Sequence, residues 1–305
     1  MDYRVYSAIE KIASEPAEID KTIAYVAKQM GSFIRARDHV IICFADNGVK
    51  SIGYIFRKAV EKLSGIPVFW DSDHKWKSLL WQTFSSRATV IVGPPLVVLS
   101  LSKLAKATGT PLNIRHVITA GYPCLDWIVD GIVRGLDCRT WGCFGPGTGP
   151  IVSGFSCGAS FGVHIRDDVF DFQMQDENGN CVADGMPGRI TVAPRNDPTL
   201  RMLMRDHARI ERSPCSCGLS TPRLVDIHPS QRFQHDVLSL YQQLHSWTSI
   251  LDCRVVKGDC GLELELVVFP GEKLPKLPTC AKQVVRAWVP ERDTPLDLFP
   301  NLKQG

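Results

Sequence analysis

Ala88-Thr-Val-Ile-Val-Gly-Pro-Pro95 combines a short apolar run, typical of a buried strand, with a helical pattern that follows from about 96 to 107. The same alternation extends in both directions along the chain. Further strands are predicted at 39–44 and 67–70 before this stretch, and at 116–119 and 138–141 after it. Helices are predicted over 17–35, 52–63, 76–84 and 125–135. Strands that alternate with helices predict a parallel sheet with helices on its faces.

The sequence pattern changes after Gly142. Short alternating runs between 163 and 192, separated by Asp176-Glu-Asn-Gly179 and Asp184-Gly-Met-Pro-Gly188, predict antiparallel strands joined by turns. A boundary near 228–234 divides the chain into a first unit, 1–228, and a second unit, 229–305. We expect the second unit to be a small α/β module with a helix over 236–246 and strands over 252–257 and 262–269. Beyond Pro270 the chain is rich in Pro and Lys, and we expect a loosely held tail.

Composition places the chain among ordinary globular proteins. Its 305 residues are 44% hydrophobic and 22% charged, and the net charge of +3 is too small to indicate a nucleic-acid partner. Residues 1–17 lack the uninterrupted apolar core of a signal peptide, and no stretch approaches the length of a membrane span. We therefore expect a cytoplasmic protein without a membrane partner, whose 11 cysteines are reduced thiols or metal ligands.

Four residues form a candidate metal site. Cys157 and His164 are followed by Cys215-Ser-Cys217-Gly218, in which Gly218 permits a tight turn that lets both sulfurs face one ion. Three thiols and one imidazole are the soft ligands that Zn²⁺ prefers, and a closed set of four predicts a structural zinc. The alternative is that these are plain buried or surface thiols. His207 and Cys181 are reserve ligands should His164 point elsewhere.

Several short motifs together resemble those of one enzyme family. They are Ala88 to Pro95, Ala120-Gly-Tyr-Pro123, Trp141-Gly142, Cys157 to Asp168, Gly185-Met-Pro-Gly-Arg-Ile-Thr191, Arg201 to Asp206, and Cys215 to Gly218 followed by Pro222-Arg223. Across roughly 38–227 they occur in the order, and at close to the spacing, of the phenylacetate-coenzyme A ligase branch of the adenylate-forming enzymes. Each motif is weak alone, whereas the ordered set makes the resemblance specific.

The resemblance implies a fold, a reaction and a site. The fold is a truncated adenylate-forming large domain, with a parallel sheet, helices and an antiparallel zinc-bearing part. The family converts a carboxylic acid and ATP to an acyl-adenylate, and coenzyme A then forms a thioester. Expected ligands and partners are AMP or ATP, structural zinc, a carboxylic acid, and coenzyme A or an acyl carrier protein. The implied nucleotide site comprises Gly121, Tyr122, Pro123, Trp141, Gly142, Arg201 and Asp206.

Two residues of this set have defined roles by the resemblance, and each has a structural alternative. Asp206 matches the carboxylate that binds the ribose hydroxyls, for which its two acceptor oxygens suit it. Its alternative role is that of a turn or capping aspartate. Trp141 matches the aromatic residue beside the base, while Gly121 to Pro123 match the loop that packs against adenine. A tryptophan that ends a strand is equally often a core residue.

The departures from the family pattern concern the chemistry. Residues 1–38 contain no Ser/Thr/Gly-rich phosphate loop, and Gly145 stands where the family has its magnesium-binding glutamate. Lys303 lies near the expected place of the catalytic lysine, but its context favours a solvated tail residue. Two hypotheses follow: an acid-thiol ligase that is either impaired or dependent on a separate chain that supplies the N-terminal segment, or a non-catalytic protein that binds a nucleotide, an acyl group or a carrier protein. A relic with a merely tolerated fold is a third.

Overall fold

The computed structural model describes residues 11, 15–70, 74–122, 124–145, 152–159, 162–229, 235–258, 261–274, 276, 282–290 and 293–296. Helices in this part of the chain are α1 (Pro16–Met30), α2 (Ile52–Lys62), α3 (Trp76–Ser85), α4 (Pro95–Thr108), α5 (Asp126–Leu136) and α6 (His235–Ser246). The strands are β1 (His39–Ile42), β2 (Ile66–Phe69), β3 (Val90–Gly93), β4 (His116–Thr119), β5 (Arg139–Phe144), β6 (Gly154–Phe155), β7 (Val163–Ile165), β8 (Phe170–Gln175), β9 (Gly188–Pro194), β10 (Met202–Glu211), β11 (Arg223–Pro229), β12 (Ile250–Gly258), β13 (Gly261–Val268) and β14 (Lys282–Ala287).

Eleven of the described strands form one mixed sheet in the order β2-β1-β3-β4-β5-β6-β7-β11-β10-β9-β8. The first five are parallel, and β6 pairs with β5 in the antiparallel sense. The remaining strands continue as an antiparallel sheet with their apolar residues on one buried face. The predicted α/β fold class, with its parallel and antiparallel parts, is confirmed.

Helix α4 is buried along most of its length. Its residues from Pro95 to Leu104 are apolar or small, apart from Lys103, and the buried set includes Leu101 and Leu104. A helix without a polar face must be covered on several sides. One side faces the parallel sheet, and β12 lies on another, so that both contribute to a single apolar cluster. The Lys103 ammonium donates to the carbonyl oxygen of Ile250 at 3.0 Å, which joins α4 to β12 through a polar contact.

The strands β12, β13 and β14 form a second sheet, in which β14 is parallel to β13. The predicted helix and the first two strands of this unit match α6, β12 and β13. The third strand was not predicted, because its Lys282-Gln-Val-Val-Arg-Ala287 pattern lies in a segment rich in Pro and Lys. The unit boundary at 228–229 stays a prediction, since 230–234 lie outside the described residues. No helix of the described chain has both the length and the apolar character needed to cross a membrane.

A buried ion pair attaches α1 to the antiparallel sheet. Arg166, which directly follows β7, contacts Glu18 at 3.0 Å and donates to the hydroxyl of Thr22 at 3.1 Å. Its guanidinium also lies over the ring of Tyr25, 5.2 Å from the centroid. The side chains of Arg166 and Glu18 are only 5% and 9% exposed. Removal of one partner would therefore leave a buried charge without compensation.

We expect Arg166→Gln to lower the free energy of unfolding by about 3–5 kcal/mol, because Glu18 would keep its charge in a buried site. Lys21→Gln is the matched control, since Lys21 pairs with the same carboxylate at 3.7 Å but is 67% exposed. An exposed pair of this kind contributes at most about 1 kcal/mol. Urea denaturation measures both variants, and equal losses of stability would contradict the assignment of Arg166 as the anchor.

Candidate functional site and metal cluster

The carboxyl ends of β1 and β4 bring part of the predicted nucleotide site together. Phe44 follows β1 and Gly121 follows β4, so both lie at the edge where open α/β sheets bind ligands. Gly121 has a φ of +90°, and a Cβ there would lie 3.4 Å from the Phe44 ring. Tyr122 is partly buried against the apolar cluster that contains α4. Pro123 lies outside the described residues. The backbone at Gly121 therefore approaches Phe44 closely, in a conformation that favours glycine.

Trp141 is held in a packed layer on the α1 side of the sheet. Its ring stacks on Phe33 with centroids 4.5 Å apart and an interplanar angle of 17°. The indole N–H donates to Nδ1 of His116 at 3.2 Å. The pKa of His116 is lowered mainly by burial, and also by the nearby positive charges of Arg115 and Arg139. The neutral imidazole that results can accept this hydrogen bond. Trp141 therefore has core contacts on the side of Phe33 and His116, while the residue as a whole is only partly buried.

Gly142 is fixed by hydrogen bonds in both directions. Its N–H donates to the hydroxyl oxygen of Ser156 at 2.8 Å, and its carbonyl oxygen accepts from the Ser156 N–H at 2.8 Å. These contacts extend the pairing of β5 with β6, in which Cys143 lies opposite Phe155. The sequence did not predict a role for Ser156, because no spacing rule links it to Gly142.

Asp206 lies on β10 opposite Pro229 of β11, next to a stacked pair of histidines. The rings of His207 and His228 are nearly parallel, with centroids 5.6 Å apart. Burial raises the pKa of Asp206 to about 6, although the positive charges of His228 and Arg205 act to lower it. The pKa of His207 is lowered, chiefly by burial and then by His228. Asp206 is therefore a carboxyl group with few compensating partners, and it gains from any ligand that donates hydrogen bonds to it.

Arg201 is engaged elsewhere. Its guanidinium contacts the carboxylate of Asp171 at 2.5 Å and the hydroxyl of Thr191 at 3.3 Å. Both partners lie on the neighbouring strands β8 and β9. The structure thus joins Arg201 to the far end of the antiparallel sheet and does not pair it with Asp206.

Cys157, His164, Cys215 and Cys217 come together as a cluster. Their ligand atoms all lie within 4.8 Å of one another, so the group could hold a metal ion. The Sγ atoms of Cys157 and Cys215 are 3.6 Å apart, and Sγ of Cys217 lies 3.3 Å from Nε2 of His164. The reserve residues lie outside it: Cys181 contacts Gln173, and His207 stacks on His228.

Three segments that are distant in sequence position this cluster. Cys157 follows β6, His164 lies on β7, and both Cys215 and Cys217 belong to the loop between β10 and β11. Gly218 has a φ of +85° and donates its N–H to the Cys215 carbonyl at 3.0 Å, which closes the predicted turn. Nδ1 of His164 lies 2.9 Å from the Thr221 carbonyl oxygen, so it carries the proton and leaves Nε2 directed at the sulfurs.

Comparison with known proteins yields structural neighbours alone. No protein-family model and no curated protein matches the chain. A structure of 2-hydroxyisobutyryl-CoA ligase in the postadenylation state, in complex with R3-HIB-AMP, matches 92% of this chain and 68% of its own, with a TM-score of 0.67 and 13% identity. A benzoate CoA ligase from Burkholderia xenovorans LB400 matches 87% of this chain and 61% of its own, with a TM-score of 0.55 and 12% identity.

The chain has the fold of these CoA ligases. A second structure of 2-hydroxyisobutyryl-CoA ligase, in complex with 2-HIB-AMP and CoA in the thioesterification state, matches this chain with a TM-score of 0.62 and 15% identity. At identities of 12–15% the likeness concerns the course of the backbone. The fold that the resemblance implies is thereby confirmed.

We expect the Asp206 carboxyl group to titrate near pH 6, so that it is charged above this pH and neutral below it. The carboxyl carbon resonance in a ¹³C NMR titration measures this, and Asp206→Asn identifies the signal. Asp176 is the internal control, because backbone N–H groups that bond its carboxylate lower its pKa below the usual value. A midpoint for Asp206 near pH 4 would show that solvent reaches the group freely.

Proposed function

We propose that this protein binds an adenine nucleotide, as AMP or an acyl-adenylate, and acts in the activation of carboxylic acids toward coenzyme A thioesters. The observation that carries the proposal is the partly buried Asp206 carboxyl group, whose pKa desolvation raises to about 6, in a CoA ligase fold. It stands at the position that resembles the ribose-binding carboxylate of the phenylacetate-coenzyme A ligase branch. The similar structures that contain R3-HIB-AMP or 2-HIB-AMP with CoA support this class of ligand.

The chemistry of Asp206 suits a ribose. Above about pH 6 the group is an anion that burial disfavours, and a vicinal diol supplies two O–H donors to its two oxygens. Hydrogen bonds to a charged group contribute about 1.5–3 kcal/mol each. Nucleotide binding would therefore stabilise the ionised form and lower the pKa of Asp206.

Adenylation itself would be slow in this chain alone. Gly145 stands where the resemblance implies a glutamate that holds Mg²⁺ against the phosphates. The metal would neutralise the charge that develops on pyrophosphate, and loss of one such electrostatic element costs about two to three orders of magnitude in rate. We therefore favour a protein that binds an adenylate, or an adenylate-linked carrier, over one that turns over ATP independently.

A separate chain that completes the site has less support. Such a chain would cover apolar surface beside the helices of the parallel sheet, and α4 is apolar along most of its length. Its outer residues already belong to one cluster with Leu244, Ile250 and Leu266 of the second unit. The chain thus supplies its own cover for this helix.

The four-residue cluster fits zinc. In a tetrahedral site with Zn–S distances of about 2.3 Å, neighbouring sulfurs lie about 3.8 Å apart. The Cys157–Cys215 separation of 3.6 Å approaches this value, and the nitrogen of His164 completes a set of four. We propose a structural zinc ion held by Cys157, His164, Cys215 and Cys217. When bound, it would connect β6 and β7 to the β10–β11 loop.

We expect Cys215→Ser to abolish stoichiometric zinc binding and to lower thermal stability, because three ligands hold zinc weakly and the β10–β11 loop loses its tether. Elemental analysis of the purified protein measures the zinc content. Cys181→Ser is the control, since Cys181 is an exposed thiol outside the cluster. Equal zinc contents in the two variants would refute the site.

We expect Asp206→Ala to weaken AMP binding by at least about tenfold at pH 7.5, since the ribose hydroxyls lose a charged acceptor. Isothermal titration calorimetry measures the dissociation constant. Asp184→Ala is the control, because Asp184 forms an exposed ion pair with Arg212 and does not belong to the predicted nucleotide site. AMP affinity that Asp206→Ala leaves unchanged would remove Asp206 from the pocket.

A pyrophosphate-release assay separates the binding function from the ligase function. The protein is supplied with Mg-ATP, coenzyme A and a panel of aryl and fatty acids. We expect AMP to bind while pyrophosphate release stays at the level of the Asp206→Ala variant. Acid-dependent release well above that level would establish a working ligase that holds the phosphates by other residues.

A further inference from the structure

A three-residue segment, Ser156-Cys157-Gly158, connects the metal cluster to the candidate nucleotide site. Cys157 is a member of the cluster, while its two neighbours contact Gly142 and Trp141. We propose that metal binding at the cluster positions Trp141 and Gly142 through this connector, so that the metal and the nucleotide bind cooperatively. The nucleotide half of this proposal rests on the proposed function, whereas the link from the metal to Trp141 stands on the geometry alone.

Ser156 forms the first link. It exchanges two hydrogen bonds of 2.8 Å with Gly142, one to its hydroxyl oxygen and one from its N–H. Ser156 is covalently joined to Cys157. A movement of Cys157 when a metal binds or leaves must therefore strain or break the two hydrogen bonds between Ser156 and Gly142. The carboxyl end of β5, which bears Trp141 and Gly142, is thereby tied to the cluster.

Gly158 forms the second link. Its φ is +71°, and a Cβ at this position would lie 2.8 Å from Cζ3 of Trp141. The backbone at Gly158 therefore lies directly against the indole ring, which also stacks on Phe33 and bonds His116. Because the ring is enclosed on these sides, movement of the connector must be transmitted to Trp141.

His164 provides a third contact between the cluster and the core. The backbone carbonyl oxygen of His164 accepts a hydrogen bond from the hydroxyl of Tyr25 on α1 at 3.3 Å. Across the sheet, His164 pairs with Phe155, the residue directly before Ser156. Two of the four cluster residues therefore hold the edge on which Trp141 is packed. The other two, Cys215 and Cys217, belong to the β10–β11 loop, where the Ser216 hydroxyl donates to the carbonyl oxygen of Ala159 at 3.3 Å; a bound metal would add a further connection to this edge.

The consequence is thermodynamic linkage. If zinc favours the arrangement of Trp141 and Gly142 that also binds the nucleotide, each ligand must raise the affinity of the other by the same factor. Coupling of this kind typically changes affinity by about 5–150-fold. We expect a change of about tenfold here, because the connection involves one short segment.

The first test uses tryptophan fluorescence of the full chain with zinc alone. Removal of zinc with EDTA should shift the emission of the protein, and Trp141→Phe should abolish most of that shift. Far-UV circular dichroism of each sample establishes that the fold is retained. An EDTA-induced shift of the same size in Trp141→Phe would overturn the link.

A pair of glycine variants tests the connector on zinc-loaded protein, and so does not depend on the stability of the metal-free form. Gly158→Ala places a Cβ against Trp141, whereas Gly185→Ala has a similar φ of +83° but no atom within 4 Å of the new Cβ. Both variants carry comparable backbone strain. We expect Gly158→Ala to alter the Trp141 emission and to weaken zinc binding by about tenfold, and Gly185→Ala to do neither. Equal behaviour of the two variants would overturn the proposal.

The nucleotide arm measures AMP binding by calorimetry with and without zinc, and zinc binding with and without AMP. Equal factors of about tenfold in the two directions would establish cooperativity. If AMP binds with the same affinity in both zinc states, the coupling fails while the proposed function stands. If AMP binds in neither state, the proposed function fails, and the fluorescence and glycine results alone decide the link to Trp141.

Discussion

The fold depends on the burial of α4 between two sheets. A helix that is apolar on almost every side is unstable in water unless other elements cover it. Burial of each Leu or Val side chain of α4 stabilises the fold by about 1.5–3 kcal/mol. The parallel sheet covers one side, while α6, β12 and β13 belong to the same apolar cluster. The second sheet is therefore part of the core of the molecule, and Lys103 secures the contact by donating to Ile250. This constraint decides where β12 and β13 must lie.

A second set of interactions joins the antiparallel part to the parallel part. The buried Arg166–Glu18 pair attaches α1 to the end of β7, and the four-residue cluster gathers β6, β7 and the β10–β11 loop. Both lie close to the packed layer of Phe33, Trp141 and His116. Trp141 and Gly142 thus lie between the Arg166–Glu18 pair and the four-residue cluster. Asp206 lies on β10, opposite Pro229 of β11.

The local pattern of the chain predicted most elements well. The strand at 116–119 and the helix at 76–84 agree with the structure to within a residue, because their apolar spacing is regular. The cluster of Cys157, His164, Cys215 and Cys217 was also predicted, since ligand chemistry restricts which residues can hold zinc. The strand β14 was not predicted, because its segment is rich in Pro and Lys like a solvated tail. Its strand conformation depends on pairing with β13, which is a tertiary contact. The pairing of Arg201 with Asp171, a residue thirty positions before it, was not predicted, and its place near the nucleotide stays a prediction.

By itself, the sequence determined the alternation of strands and helices, the change to antiparallel pairing after Gly142, and the four residues of the cluster that could hold a metal ion. These properties follow from periodicity, turn chemistry and ligand type, which act over short distances. Only the tertiary structure decided that α4 is covered by the second sheet, that Trp141 packs on Phe33, and that burial raises the pKa of Asp206. The reason is physical: exposure, stacking and desolvation depend on which distant segments meet, and no local pattern encodes that meeting.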